Sequence, residues 1–195
     1  MKLFLNDTSP FARFVRATAL ELGLENRLEL VWADPWSDQA DLVAVNPLSR
    51  VPALVDDDGV AITESLLIAR RLTSIAPQDG AFADGSARML SELGLAYGIM
   101  DLAFALTIHK RFFSETTSAF QQRRQASLAR ALAAAEAAVR DPAPWTLPRC
   151  CLWIALDYII FRQVMPLEPS VYPGLTAFMK AHENRPALVQ TAFTA

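Results

Sequence analysis

The sequence predicts a small α/β domain followed by an all-helical domain, and three observations support this prediction. As far as residue 77, short apolar strand patterns alternate with helical repeats. Beyond residue 85, the periodic segments repeat at three- and four-residue steps, and no strand pattern is convincing. A chain of 195 residues with 52% hydrophobic content is long enough to bury the cores of two such domains. We therefore expect a domain over residues 1–77, a linker over 78–85 and a helical domain over 86–195.

The first domain is predicted to begin with a β-α-β unit. An apolar strand at 2–5 is followed by a helix that begins near Phe11 and closes at Gly23. Alternating apolar residues then predict a second strand over 28–32. The polar segment 34–46 has room for one helical turn.

A β-β-α unit completes the first domain. Strands at 53–55 and 60–62 are predicted to pair across a tight turn at Asp58-Gly59, and a helix follows over 66–75. The two units together predict a mixed sheet with helices packed on it.

The second domain is predicted to contain four helices, at 86–113, 118–140, 146–163 and 173–182. The second of them begins with Ser118-x-x-Gln121, the capping-box spacing in which side chains satisfy the first backbone N–H groups of a helix.

Composition and charge argue against several classes of function. The net charge of -3 provides no basic domain for nucleic acid. The most apolar run, 151–161, is too short for a membrane span and contains Asp157. The first residues turn polar too soon for a secretory signal. We therefore expect a cytoplasmic protein with neither nucleic acid nor a membrane as its partner.

The cysteines and histidines form no metal-binding or redox motif. Cys150 and Cys151 are adjacent, which fits neither a Cys-x-x-Cys pair nor a metal spacing, so we expect core thiols on a helix. His109 and His182 are isolated and cannot form a metal site alone. No metal and no prosthetic group are expected.

Four short motifs follow one another in a specific order along nearly the whole chain. They are Ser9-Pro10-Phe11 with Arg13, Val15 and Arg16, then Asn46-Pro47 with Val51-Pro52-Ala53-Leu54, then Glu64-Ser65, and finally Asn184-Arg185-Pro186. In this order they resemble the soluble glutathione transferase family, in a serine-type, bacterial-like form. The resemblance implies a thioredoxin-like amino-terminal domain, a helical carboxyl-terminal domain, a homodimer and glutathione as co-substrate.

The resemblance also implies which residues bind glutathione. Relatives have a cis proline after the residue that matches Val51, whose backbone N–H and C=O pair with the cysteinyl part; an ordinary proline at Pro52 is the alternative. The γ-glutamyl carboxylate would meet the N–H and hydroxyl of Ser65 at a helix N-terminus, and Glu64 would accept from its ammonium group. Simple helix capping is the alternative there. Arg50 matches a donor for the glycine carboxylate, with a surface charge as the alternative.

Ser9 is the residue that the resemblance places against the glutathione sulfur, with Thr8 as the alternative. A free thiol with a pKa of ~8.5 is only a few per cent thiolate at pH 7. A hydroxyl that donates to the sulfur, beside the positive N-terminus of the next helix, lowers this pKa. Ser9 also fits a purely structural N-cap, because Pro10 follows at the first helical position.

A small apolar electrophile is the expected second partner. Its pocket is predicted to involve Phe11, Tyr97, Met100, Phe104 and His109. Packing in the core is the alternative for each, because apolar residues at helical spacing are more often core than pocket.

Two positions depart from the family pattern. Ser49 stands where relatives often have Gly, which concerns only a local turn. Thr146-x-x-Arg149 stands where the family has a buried capping motif, Ser/Thr-x-x-Asp, and Arg149 cannot accept a bond from the Thr146 N–H. Thr146 is still expected to cap the helix with its hydroxyl.

The leading functional interpretation is a glutathione transferase that stabilises the thiolate and directs it at an electrophile. Glutathione-dependent reduction of peroxides or disulfides, or isomerisation, on the same site is the first alternative. A non-catalytic glutathione-binding or protein-interaction module of the same fold is the second. The intact Val51-Pro52 and Glu64-Ser65 motifs argue against this second alternative.

Overall fold

The computed structural model describes residues 1–76, 82, 85–113, 118–139 and 143–194 of the chain. The chain divides into two compact units, Met1–Ala83 with Pro186–Ala195, and Asp84–Arg185. The predicted domain limits at 77 and 86 stay predictions. Most of the predicted linker, 78–85, lies outside the described residues, as does residue 140 at the end of the second predicted helix.

The first unit is built on a four-stranded mixed sheet, as the sequence predicts. Its strands are β1 (Lys2–Leu5), β2 (Glu29–Trp32), β3 (Ala53–Val55) and β4 (Ala61–Thr63), in the order β2-β1-β3-β4. β1 and β2 are parallel, whereas β3 is antiparallel to both β1 and β4. Gly59 has a φ of 82° between β3 and β4, at the predicted turn.

The helices of the described residues follow the predicted order, with one addition at the end. They are α1 (Pro10–Glu21), α2 (Ala40–Val45), α3 (Ser65–Ile75), α4 (Ala87–Phe112), α5 (Ala119–Ala138), α6 (Leu147–Phe161), α7 (Pro173–His182) and α8 (Pro186–Gln190). A 3₁₀ turn at Glu25–Arg27, which the sequence did not predict, precedes β2. The prediction of an α/β domain followed by a helical domain is confirmed.

The sheet of the first unit is covered on both faces, because successive side chains of a strand point to opposite sides. Leu3 of β1 and Leu54 of β3 belong to a core cluster with residues of α1 and α3. Phe4 and Ala53, their neighbours along the strands, belong to a second cluster with Leu42 of α2.

Arg13 explains why α8 groups with the first unit. Its side chain is buried within α1 and donates to the Leu188 carbonyl at 3.1 Å and to the Thr191 hydroxyl at 3.4 Å. Its guanidinium also lies 4.3 Å from the centre of the Phe193 ring. The residues that follow Arg185 therefore pack against α1 within the first unit.

The second unit is helical, and α6 is its most buried element. Cys150 and Cys151 lie side by side on α6 and are fully buried as free thiols, so the prediction of core cysteines is confirmed. Burial raises the pKa of the Cys151 thiol well above its ordinary value, which keeps this thiol protonated and unreactive.

One helix of the described residues, α4, is long and apolar enough to cross a membrane by length and composition alone. This is weak evidence for a membrane span, because a core helix of a soluble protein passes the same test. The shorter apolar run at 151–161 lies in α6.

Helix caps at two of the predicted starts give different outcomes. The Ser118 hydroxyl accepts from the Gln121 N–H at 3.2 Å, as predicted. The prediction that Thr146 caps α6 is wrong, because its hydroxyl makes no capping bond and has no partner among the described residues. An N-cap side chain accepts from the second or third helical N–H. Pro148, the second residue of α6, has no N–H, and the Thr146 hydroxyl does not accept from the third, that of Arg149.

The ends of α1 and α6 share one hydrogen-bond pattern but use different residues. After each helix, two successive N–H groups bond back to carbonyls of the last turn, from Gly23 and Leu24 in α1 and from Gln163 and Val164 in α6. This is the Schellman motif, which needs a residue of positive φ. Gly23 has a φ of 68° and Gln163 a φ of 50°.

Gln163→Gly is expected to raise the free energy of unfolding by about 0.5–1 kcal/mol. Glycine removes the cost of the left-handed conformation, which is roughly 1–2 kcal/mol. Part of this gain is offset, because glycine also increases the conformational entropy of the unfolded chain. Gly23→Ala is the matched change in the opposite direction and should destabilise. Urea denaturation followed by circular dichroism measures both, and a loss of stability in Gln163→Gly would contradict this explanation.

Candidate functional site

The strand registers bring the predicted binding segments to one end of the sheet. Phe4 of β1 pairs with Ala53 of β3, and Ala53 pairs with Thr63 of β4. β1 ends one residue after Phe4, β3 begins at Ala53, and β4 ends at Thr63. The segments that follow β1, precede β3 and follow β4 therefore leave the sheet at the same end.

These three segments contain the residues that the sequence singled out. Ser9 follows β1, Val51-Pro52 precedes β3, and Glu64-Ser65 follows β4. Two helices, α1 and α3, begin there as well, so two helix N-termini with partial positive charge are present at this end of the sheet.

Ser9 is the N-cap of α1. Its hydroxyl oxygen accepts from the Ala12 N–H at 3.2 Å, and Pro10 occupies the first helical turn, so the structural interpretation of Ser9 is confirmed. The residue is only 9% exposed. A hydroxyl that accepts a bond keeps its own proton for donation. Capping is therefore compatible with donation to a ligand.

Asn6 fixes the backbone at Ser9, a role that the sequence analysis did not identify. The Asn6 side-chain oxygen accepts from the Ser9 N–H at 2.9 Å. Asn is typical of such turns because its short side chain bonds to nearby backbone. An asparagine three residues before an N-cap serine is the signal that could have identified it. Thr8, the alternative hydroxyl, is half-buried.

The Val51–Pro52 peptide bond is cis, as the resemblance implied. The loop before it is organised by Asn46, which is only 3% exposed. Its amide donates to the Arg50 carbonyl at 2.9 Å, and its side-chain oxygen accepts from the Leu48 N–H at 3.1 Å. The Arg50 side chain is exposed to solvent. The sequence analysis used Asn46 as a motif residue without giving it this role.

Ser49 adopts a backbone conformation that favours glycine. Its φ is 50°, in the left-handed region, and its hydroxyl donates to the Pro35 carbonyl at 3.2 Å.

Glu64 has a strained backbone at the start of α3. Its φ is 68°, which is uncommon for a residue with a side chain. The Glu64 side chain is exposed and makes no capping bond to the helix, whereas Ser65 is buried as the first residue of α3. Such strain is often found at ligand sites, so it favours a binding role for Glu64 over a capping role.

At the opposite end of the sheet, a partly buried ion pair ties the β3–β4 turn to α3. Asp56 accepts from the Arg71 Nε at 2.5 Å, and its side chain is 5% exposed. Burial alone would raise the pKa of Asp56, but the hydrogen bonds from Arg71 and the Asp57 N–H, with the charge of Arg71, hold it below its ordinary value of 3.8.

Asp56→Asn is expected to lower the free energy of unfolding by about 1–2 kcal/mol at pH 7. Because the pKa of Asp56 is lowered by folding, its contribution is present above pH 3.8 and is lost as the pH falls towards the folded value. The difference between wild type and Asp56→Asn should therefore shrink below about pH 4. Urea denaturation at pH 7 and pH 3 checks this, with the exposed Asp41→Asn as control. A difference that stays constant with pH would contradict it.

The residues predicted for an electrophile pocket have unequal exposure. Phe11 in the first unit is half-buried, as are Tyr97, Phe104 and His109 in the second. Met100 is fully buried, which favours the core alternative, and the pocket assignment stays a prediction. The helical spacing of Met100 along α4 is the same for a core residue and for a pocket residue, so the sequence does not distinguish them. The described residues include no group of three or more His, Cys, Asp or Glu side chains that could hold a metal ion.

Known proteins match this chain by sequence in its first unit and by fold over nearly its whole length. Residues 8–75 match the family model described as the glutathione S-transferase N-terminal domain. No curated protein matches the chain. Among solved structures, the chain is similar to a glutathione S-transferase from Methylobacillus flagellatus KT with GSH bound, at 23% identity and a TM-score of 0.87, covering 99% of each chain.

Two further solved structures extend this comparison. A glutathione transferase family member from Pseudomonas fluorescens Pf-5 with bound glutathione is 26% identical and has a TM-score of 0.81. The match covers 100% of this chain and 99% of that chain. A glutathione S-transferase from Methylobacterium radiotolerans JCM 2831 in complex with glutathione sulfonate is 22% identical, with a TM-score of 0.87 and coverage of 100% of this chain and 95% of that chain.

Residues 8–75 thus match a glutathione S-transferase amino-terminal domain, and the chain as a whole has the fold of the solved structures. The resemblance to the glutathione S-transferase family and the thioredoxin-like fold of the first unit are confirmed. The serine-type assignment stays a prediction.

Proposed function

We propose that this chain is a glutathione transferase. Its first unit binds glutathione, the Ser9 hydroxyl stabilises the thiolate, and the thiolate attacks a small apolar electrophile. The observation that carries this proposal is the convergence of Ser9, Val51-Pro52 and Glu64-Ser65 at one end of the sheet, together with the N-termini of α1 and α3.

Each part of glutathione has a proposed partner in this arrangement. The γ-glutamyl carboxylate binds the Ser65 N–H and hydroxyl at the N-terminus of α3, and the exposed Glu64 accepts from its ammonium group. The Val51 backbone pairs with the cysteinyl part, and the exposed side chain of Arg50 meets the glycine carboxylate. Glutathione bound in the relatives from M. flagellatus and P. fluorescens supports this proposal.

The reaction consists of the loss of one proton from the thiol and the replacement of one bond of the electrophile by a bond to sulfur. The thiol proton leaves to solvent, the sulfur forms a bond to the electrophilic carbon, and the leaving group departs with the electron pair of its bond. Ser9 donates its hydroxyl proton as a hydrogen bond to the thiolate and forms no covalent intermediate. Glutathione is therefore a co-substrate, and the reaction requires no prosthetic group.

The finer assignments belong to this proposal as well. The candidates for contact with the electrophile are Phe11 in the first unit and Tyr97, Phe104 and His109 in the second. The enzyme acts as a homodimer in the cytoplasm, in the detoxification of electrophiles. Thr8 is the alternative residue for contact with the sulfur.

Two measurements test the proposed activity. Isothermal titration calorimetry should show glutathione binding, and the protein should accelerate conjugation of glutathione to 1-chloro-2,4-dinitrobenzene. Binding with reduction of cumene hydroperoxide but no conjugation would favour the reductase alternative. Absence of glutathione binding would reject the proposal and favour a protein-interaction module.

A further inference from the structure

The second unit contains a cavity that the proposed function does not use. It lies among α5, α6 and α7 and has a volume of about 660 Å³, within the range of about 300–1,000 Å³ that is typical of small-molecule sites. Small residues, among them Gly174 and Ala177 of α7, form part of its wall, and the Phe178 ring lines it as well.

Arg149 of α6 is the cation of this cavity. Its guanidinium lies 5.2 Å from the centre of the Phe178 ring. The Nε atom is buried and has no hydrogen-bond partner among the described residues. Burial lowers the pKa of Arg149. A buried donor without a partner is costly, so an anion that bonds to it has a free-energy advantage.

Aromatic rings continue the cavity wall beyond Phe178. His182 lines the cavity, and its ring lies 5.1 Å from the Phe178 ring and 4.6 Å from the Trp145 ring. The Arg185 guanidinium lies 4.5 Å from the centre of the Trp145 ring. A planar ligand in the cavity can therefore stack on the Phe178 and His182 rings beside Arg149.

Glu136 is an acid of the cavity wall, and its charge is engaged elsewhere. Both of its carboxylate oxygens accept backbone N–H groups at the N-terminus of α7, from Gly174 and Leu175 at 2.8 Å each. It therefore competes little with a ligand for Arg149. The Glu92 carboxylate also acts on Arg149 through its charge. Because Arg149 occupies the position where the family pattern has Asp, the cation is a feature of this chain.

We propose that this cavity binds a small aromatic carboxylic acid, with the carboxylate on the Arg149 guanidinium and the ring against Phe178 and His182. The site is separate from the glutathione-binding residues, and the proposal does not depend on the proposed function. A bidentate bond between guanidinium and carboxylate supplies the orientation, and the small residues of α7 leave room for the ring.

The test uses 2-naphthoate as the probe in isothermal titration calorimetry of the full chain. Saturating S-hexylglutathione blocks the proposed transferase site, so that it cannot contribute binding. The neutral isostere 2-naphthamide distinguishes recognition of the anion from burial of the ring. Naphthoate is expected to bind at least 10-fold more tightly than the amide.

Two variants and one control locate the binding. Arg149→Met should abolish the preference for the acid over the amide, and Ala177→Phe should weaken both probes at least 10-fold by filling the cavity. Arg130→Met removes an exposed cation of α5 and should change nothing. Equal binding of both probes to wild type, or naphthoate binding that survives both Arg149→Met and Ala177→Phe, would overturn the proposal. Circular dichroism establishes that each variant is folded.

Discussion

Ser9→Ala is expected to raise the pKa of the bound glutathione thiol and to lower the conjugation rate at pH 6.5 by about 10²-fold. Affinity for glutathione should change little. The proposed hydrogen bond forms to the charged sulfur, and removing it disfavours the thiolate by about 1.4 kcal/mol for each unit of pKa. At a pH below the thiol pKa, each unit removes about nine-tenths of the reactive thiolate.

A second effect of Ser9→Ala has to be separated from this one. The substitution also removes the N-cap of α1, which is worth about 1 kcal/mol of stability. Ser118→Ala removes a matched cap, since its hydroxyl accepts from a backbone N–H at 3.2 Å, as the Ser9 hydroxyl does. Ser118→Ala should cost similar stability without changing the bound thiol pKa.

Thr8→Ala distinguishes the two candidate hydroxyls. A normal pH–rate profile in Ser9→Ala, with a shifted profile in Thr8→Ala, would transfer the role to Thr8. If neither substitution shifts the profile, the stabilisation comes from backbone donors, and the assignment of a side-chain hydroxyl is wrong.

The second large effect concerns stability. Glu136→Ala is expected to lower the free energy of unfolding by about 3–4 kcal/mol, because it removes two charge-assisted hydrogen bonds of roughly 1.5–3 kcal/mol each. The buried Glu136 carboxylate caps α7 from another helix, since it accepts from the Gly174 and Leu175 N–H groups. Without it these donors have no acceptor, and the favourable charge at the helix N-terminus is lost.

Two companion variants make this prediction specific. Glu136→Gln keeps the shape and one acceptor oxygen, so about half of the stability should be retained. Gly174→Ala should also destabilise, because an added Cβ would lie 2.7 Å from the Glu136 Oε1 and displace the carboxylate. Urea denaturation measures all three. A cost below about 1 kcal/mol for Glu136→Ala would show that water replaces the cap at little expense.

Local patterns were sufficient to predict most of the fold. The strands at 2–5 and 53–55 and the helix at 173–182 were predicted with the observed bounds, because periodicity and flanking turn residues define such elements. The last strand is displaced by one residue from the predicted 60–62, although the Val60 carbonyl still accepts from the Asp56 N–H at 2.9 Å. α8 was missed because five residues give no helical repeat.

The sequence predicts the motif residues of the candidate site but not the residues that hold those motifs in place. Ser9, Val51-Pro52 and Glu64-Ser65 belong to motifs that can be recognised in the sequence, whereas Asn6 and Asn46 act through single backbone contacts that have no period. Glu136 lies 38 residues before the first backbone group that it caps. Its role depends on the packing of α5 against α7, which no local pattern shows.

The thiolate titration of bound glutathione tests the central claim most directly. The ultraviolet absorbance of the thiolate is followed from pH 5 to pH 10 with saturating protein, and free glutathione is the reference. The account predicts an apparent thiol pKa clearly below that of free glutathione in the wild type, and a return towards the free value in Ser9→Ala. Bound glutathione that titrates at the same pH as free glutathione would contradict it.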